Sequence, residues 1–197
     1  MGLTFDRAES TVELRANLDD ILRDGDADGL TDLAERQLLL DPDDPDSDGD
    51  GIRDGDDALP NVARGAASGD RERAFAAVFA RLRGTGNAIS VGVPGSQAFV
   101  RRRTGDEATL FVVTDPANFA GLDAAHRIVV LPPSFDFAAL AKHDAYAIFN
   151  PVHISLALLG NGRYAQASYN TGWSWGAFRL VLRDGRWIVV EGVTVMT

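Results

Sequence analysis

The chain has 197 residues and no cysteine, so disulfides, zinc–thiolate sites and cysteine nucleophiles are excluded. Its net charge of −10 is uneven: residues 1–60 carry nineteen acids against five arginines, a net of −14, and the remainder is mildly basic. Such an acidic block attracts cations and repels nucleic acid and anionic membranes, and no apolar run reaches the roughly 18–20 residues of a membrane helix.

Ser10-Thr11-Val12-Glu13 reads as a capping box, and Leu14, Leu18, Ile21 and Leu22 follow at helical spacing. A helix over about Thr11 to Arg23 is expected. A second should run from near Thr31 to Leu40, where Asp41-Pro42 stops it.

Between and after these helices lie two twelve-residue loops. Calcium loops of the EF-hand type place oxygen ligands at positions 1, 3, 5, 7, 9 and 12, with glycine at the sharp turn of position 6. Counting from Asp24, the ligands are Asp24, Asp26, Asp28, the Leu30 carbonyl, Asp32 and Glu35, with Gly29 at position 6. Counting from Asp46, they are Asp46, Asp48, Asp50, the Ile52 carbonyl, Asp54 and Asp57, with Gly51 at position 6. Aspartate is shorter than glutamate at position 12, and no helix signal follows, so the second loop is expected to be more open and weaker.

Two carboxylates about 4 Å apart repel by roughly 4 kcal/mol at an effective dielectric near 20. A cation relieves that repulsion, and an all-oxygen set of six favours Ca²⁺ over Mg²⁺. Two ions are expected. The alternative for these residues is a solvated Asp/Gly-rich linker.

The run DGDADGLTDLAERQLLLDPDDPDSDGDGIRDGDD resembles the bacterial thrombospondin type-3 calcium repeat over about residues 20–60. The resemblance implies structural calcium and an extracellular or cell-surface setting. The leucine-rich helix between the loops is longer than in that family and moves the first loop toward an ordinary EF-hand.

Residues 61–70 read as a linker, and residues 71–197 as a second domain. An amphipathic helix over Arg71 to Arg83 carries Phe75, Val78, Phe79 and Leu82 on one side. Strands are expected at Ala88–Val93, Gln97–Arg103, Thr109–Thr114 and Arg127–Leu131, and a short helix over Phe137 to Phe149. From Val152 onward apolar and polar residues alternate, with turns at Asn161-Gly162 and Asp184-Gly185, which predicts an antiparallel meander.

The fold class is therefore α+β: a small EF-hand-like helical module, then a helix with a curved antiparallel sheet, as in cystatin-like or nuclear transport factor-like cones. The ending GWSWGAFRLVLRDGRWIVV loosely resembles uncharacterised bacterial secreted or lipoprotein domains and implies no activity.

His126, His143 and His153 lack metal spacing, and no G-x-S-x-G occurs. No nucleophile, base and orienting group come together, so the chain reads as non-catalytic. The Trp173-Ser174-Trp175 stretch suggests a protein or glycan ligand for residues 71–197. Two other readings stay open: an intracellular calcium sensor, and an enzyme or small-ligand cone in the second domain. The first residues show no signal peptide, but the resemblance favours a secreted, periplasmic or cell-surface protein.

Overall fold

The computed structural model describes residues 17–65, 69–84, 99–102, 105–119, 121–122, 127–139, 151–171 and 174–196. It is an α+β fold. Helices α1 (Leu18–Leu22), α2 (Asp32–Leu38) and α3 (Asp70–Gly84) precede strands β1 (Phe99–Arg102), β2 (Gly105–Ala108), β3 (Leu110–Val113) and β4 (Ile128–Leu131). Strands β5 (Val152–Leu159), β6 (Tyr164–Asn170), β7 (Ser174–Arg183) and β8 (Arg186–Met196) follow. β1 and β2 form a separate two-stranded pair, and the other six make one sheet in the order β4-β3-β5-β6-β7-β8.

The sheet is mixed. β5 to β8 form the expected antiparallel meander, but β3 runs parallel to both β4 and β5. LFVV and IVVL are wholly apolar, which suits strands buried on both faces, as parallel strands are.

On one face lies the main core. Phe75, Val78, Phe79 and Leu82 of α3 meet Ile154, Leu156, Tyr169, Phe178, Leu180 and Trp187 of the sheet. Phe119, at the end of a 3₁₀ turn, closes this layer against Phe75 at 5.1 Å between ring centroids. On the other face, Leu30, Ala34, Leu38 and Leu40 from α2 and its flanks cover Phe111, Val113, Val129 and Leu131. The acidic segment is thus the second cover of β3 and β4.

That segment also caps the outer edge of β4. The Ile128 amide donates to the Ala58 carbonyl at 2.8 Å. The Asn61 side chain accepts from the Val130 amide at 3.0 Å and donates to its carbonyl at 2.7 Å, standing in for a paired strand. Leu59 and Val62 are buried in the main core. The first residues of the stretch read as a linker are therefore held against the sheet.

Three local expectations change. Asn17 has an extended backbone and caps the Asp19 amide, so the helix expected over Thr11 to Arg23 is interrupted there and α1 begins at Leu18. The second helix stops at Leu38, because Leu39 turns left-handed (φ 63°) and the Leu40 amide returns to the Glu35 carbonyl. The Asn161-Gly162 turn is a longer loop, since strand pairing ends at Leu159 and Tyr164 with four residues between. Asp184-Gly185 is a tight two-residue turn, with both φ values positive.

The capping box at Ser10–Glu13, the Ala88–Val93 strand and the helix beyond residue 139 lie outside the described residues. Among the described residues no helix is long and apolar enough to cross a membrane.

Candidate metal centre

The two Asp-rich loops share one backbone plan. Position 4 is left-handed in both (Ala27, φ 62°; Gly49, φ 74°), as is the glycine at position 6 (Gly29, φ 102°; Gly51, φ 92°). The position-5 amide donates to the position-3 carboxylate, and the position-7 amide to the position-5 carboxylate, in each loop. The amide of position 9 reaches back to the carbonyl of the residue before the loop: Asp32 to Arg23 at 2.9 Å, and Asp54 to Pro45 at 3.0 Å. A repeat of 22 residues in the sequence is thus a repeat of hydrogen bonds.

The position-9 carboxylates have a shared task. Asp32 Oδ1 accepts from the Gly25 amide at 2.8 Å, and Arg23 holds Oδ2 at 3.1 Å. Asp54 Oδ1 accepts from the Ser47 amide, and its Oδ2 accepts from the Ser47 hydroxyl. Both residues tie the end of a loop to its start. The spacing assigns them as ligands; their hydrogen bonds show them as loop closers.

Glu35 is fully buried, and neither of its oxygens has a hydrogen-bond donor. Asp24 Oδ1, Asp26 Oδ2, Asp48 Oδ2 and Asp57 Oδ2 are also buried without a donor. All six oxygens sit at ligand positions 1, 3 or 12. A buried acceptor left unmade costs about 1–3 kcal/mol, and more when charged.

Three groups of carboxylates could hold a cation: Asp24, Asp26 and Asp28; Asp46, Asp48 and Asp50; and Asp28, Glu35 and Asp54. In each, one oxygen per residue lies within 4.8 Å of the others. The oxygen-only donor set and the donorless acceptors suit a hard divalent cation.

Electrostatics point the same way. Burial, then the charges of Asp26, Asp28, Asp32 and Asp54, push the Glu35 carboxyl up from 4.5 to about 8. Burial and the neighbouring Asp50, Asp57 and Asp46 push Asp48 up to about 6. Burial also raises Asp26 and Asp54.

The loops differ in how far they satisfy themselves. In the second, Asp46 accepts from the amides of Gly49, Asp50 and Gly51. Asp57 Oδ1 accepts from the Leu59 amide and pairs with Arg64, whose own amide donates to Asp50. In the first loop the neighbouring arginine, Arg23, instead pairs with the loop-closing Asp32.

The loops also touch. Arg53 donates to the Ala27 carbonyl at 3.0 Å, and the Gly55 amide to Asp28 Oδ2 at 2.8 Å. A Cβ at Gly55 would lie 2.2 Å from the Asp28 carbonyl oxygen. Gly55→Ala must therefore separate the loops, and it is expected to destabilise the fold by roughly 1–3 kcal/mol, as overpacking does. A denaturant midpoint equal to the unsubstituted chain's would count against this close approach.

Among the described residues, the other candidates gather into no comparable site. His153 is exposed on the open face of β5, while His126, His143 and Trp173 lie outside the described residues. Ser174 is buried, and Trp175 exposes 52% of its surface on that open face. Sequence spacing identified neither the Asn61 edge cap nor the nearness of Asp54 to Glu35, since both join distant segments.

Compared with protein-family models, curated proteins and solved structures, the chain matches none.

Proposed function

We propose that residues 24–57 bind two structural calcium ions, one per loop, and that the ions fix the acidic segment over β3 and the edge of β4. Asp24, Asp26, Asp28, the Leu30 carbonyl and Glu35 would hold the first ion. Asp46, Asp48, Asp50, the Ile52 carbonyl and Asp57 would hold the second, with Asp32 and Asp54 closing the loops. The chain is read as a non-catalytic binding or structural protein working outside the cytoplasm. A protein or glycan partner would meet the open sheet face around Trp175.

One observation carries this reading: six buried carboxylate oxygens without donors fall at ligand positions of two loops with the same backbone. A solvated acidic linker would leave those oxygens in water, and a purely structural polar cluster would supply them with donors. The extracytoplasmic setting rests on the thrombospondin type-3 resemblance. It accords with extracellular calcium modules, which work at about 10⁻⁴–10⁻³ M.

Titration calorimetry of the chelator-treated chain tests the proposal. Two calcium ions per chain are expected, with the second loop weaker because Arg64 already pairs with Asp57. A flat titration at millimolar calcium would refute it.

A further inference from the structure

We propose that Asp54, a residue of the second loop, belongs to the cation site of the first, so that the two loops load cooperatively. The inference rests on the calcium reading above and goes beyond it, since a separate twelve-residue frame would keep Asp54 within its own loop.

Glu35 is grouped with Asp28 and Asp54, each contributing an oxygen within 4.8 Å of the others. All three residues are buried. Both Glu35 oxygens lack a donor, and one of them lies within this group, so the buried negative charge there is shared between loops rather than confined to one. A cation serving Glu35 and Asp28 therefore also meets the field of Asp54.

The backbone holds Asp54 in that place. Its neighbours Arg53 and Gly55 each donate to the first loop, at Ala27 and Asp28. Behind them the buried Arg127 donates to the Gly55 carbonyl at 3.0 Å. Ser47, at position 2 of the second loop, fixes the Asp54 carboxylate through its amide and its hydroxyl. An ion that orders the second loop thereby orders Ser47 and Asp54, and with them one wall of the first site. Coupling of this kind is reciprocal: loading the first loop raises the affinity of the second by the same factor.

The experiment isolates the first site. In the full chain, Asp46→Asn with Asp48→Asn silences the second loop, and calorimetry measures the calcium still bound. Adding Asp54→Asn, which keeps the shape and an acceptor for Ser47, is expected to weaken that remaining binding about 10–100-fold, as loss of supporting carboxylates does. Ser47→Ala in the same background keeps the charge but frees it, and should weaken binding less.

Circular dichroism of each metal-free variant reports folding. Asp54→Asn removes a buried like charge, so the fold is expected to persist. Should it fail to fold, Ser47→Ala decides, and unchanged binding there overturns the inference. Unchanged first-site affinity in a folded Asp54→Asn variant also overturns it and leaves two-site binding intact. Absence of calcium binding by the unsubstituted chain defeats the underlying reading instead. Independent, non-cooperative loading of the two sites in the unsubstituted chain would contradict the coupling directly.

Discussion

Metal-free protein is expected to lose stability as pH rises from about 4.5 to about 8, and calcium-saturated protein to hold its stability nearly constant over that range. The sign follows from Glu35. Its carboxyl titrates near 4.5 in an unfolded chain and at about 8 in the folded one. Between those values the folded state holds a proton that the unfolded state has released. Stability then falls by up to about 1.4 kcal/mol per pH unit for each such proton. The contribution is fully present below 4.5 and is lost on approaching 8. Asp48 adds to the slope between about 4 and 6, because its carboxyl is raised to about 6.

Calcium cancels this trend because it needs the carboxylates ionised. Binding at pH 7 expels the Glu35 proton, so apparent affinity should climb with pH and level off above about 8. Thermal melts at pH 5.5, 7 and 8.5, each with chelator and with saturating calcium, check both halves. Parallel pH profiles with and without calcium would show that Glu35 does not face the ion.

Glu35→Gln is the second large effect, and it separates stability from binding. The substitution keeps shape and removes the charge that burial and four aspartates oppose. Its amide can also donate to Asp28 or Asp54, which lie beside it. The metal-free variant at pH 8 is expected to be more stable than the unsubstituted chain by roughly 1–3 kcal/mol, the scale of relieving an unpaired buried group. Its pH dependence over 4.5–8 should flatten. Calcium affinity at the first loop should fall on the order of 100-fold, since a carboxylate at position 12 is lost. Paired denaturation and calorimetry measure the two effects. A variant less stable without metal and unimpaired in binding would mean that Glu35 is an ordinary core residue.

The candidate site was largely legible in the sequence because its geometry is local. Aspartates at alternate positions, a glycine at position 6 and a carboxylate at position 12 lie within twelve residues, and the backbone repeats they dictate are present in both loops. The helix caps at Thr31 and Leu39 are local too, though Leu39 ended its helix two residues before the expected stop. The meander was legible for the same reason: alternation over β5 to β8 fixes which side chains face the core.

What escaped the sequence depends on distant segments. β3 and β4 read as apolar runs, and nothing within such a run says that it pairs in parallel or is covered on both faces. The cover is α2, about 70 residues or more away in the chain, and the edge is capped by Asn61, 69 residues from Val130. Asp54 fits its own loop by spacing, yet its neighbour Gly55 binds Asp28, 27 residues earlier. The loop frame locates a carboxylate; packing decides which other carboxylates it meets.

The most direct test is the melting temperature of the full chain at neutral pH, with chelator and then with millimolar calcium or magnesium. The proposed calcium sites predict a large rise with calcium and a smaller one with magnesium. A single melting temperature in all three conditions would contradict the account.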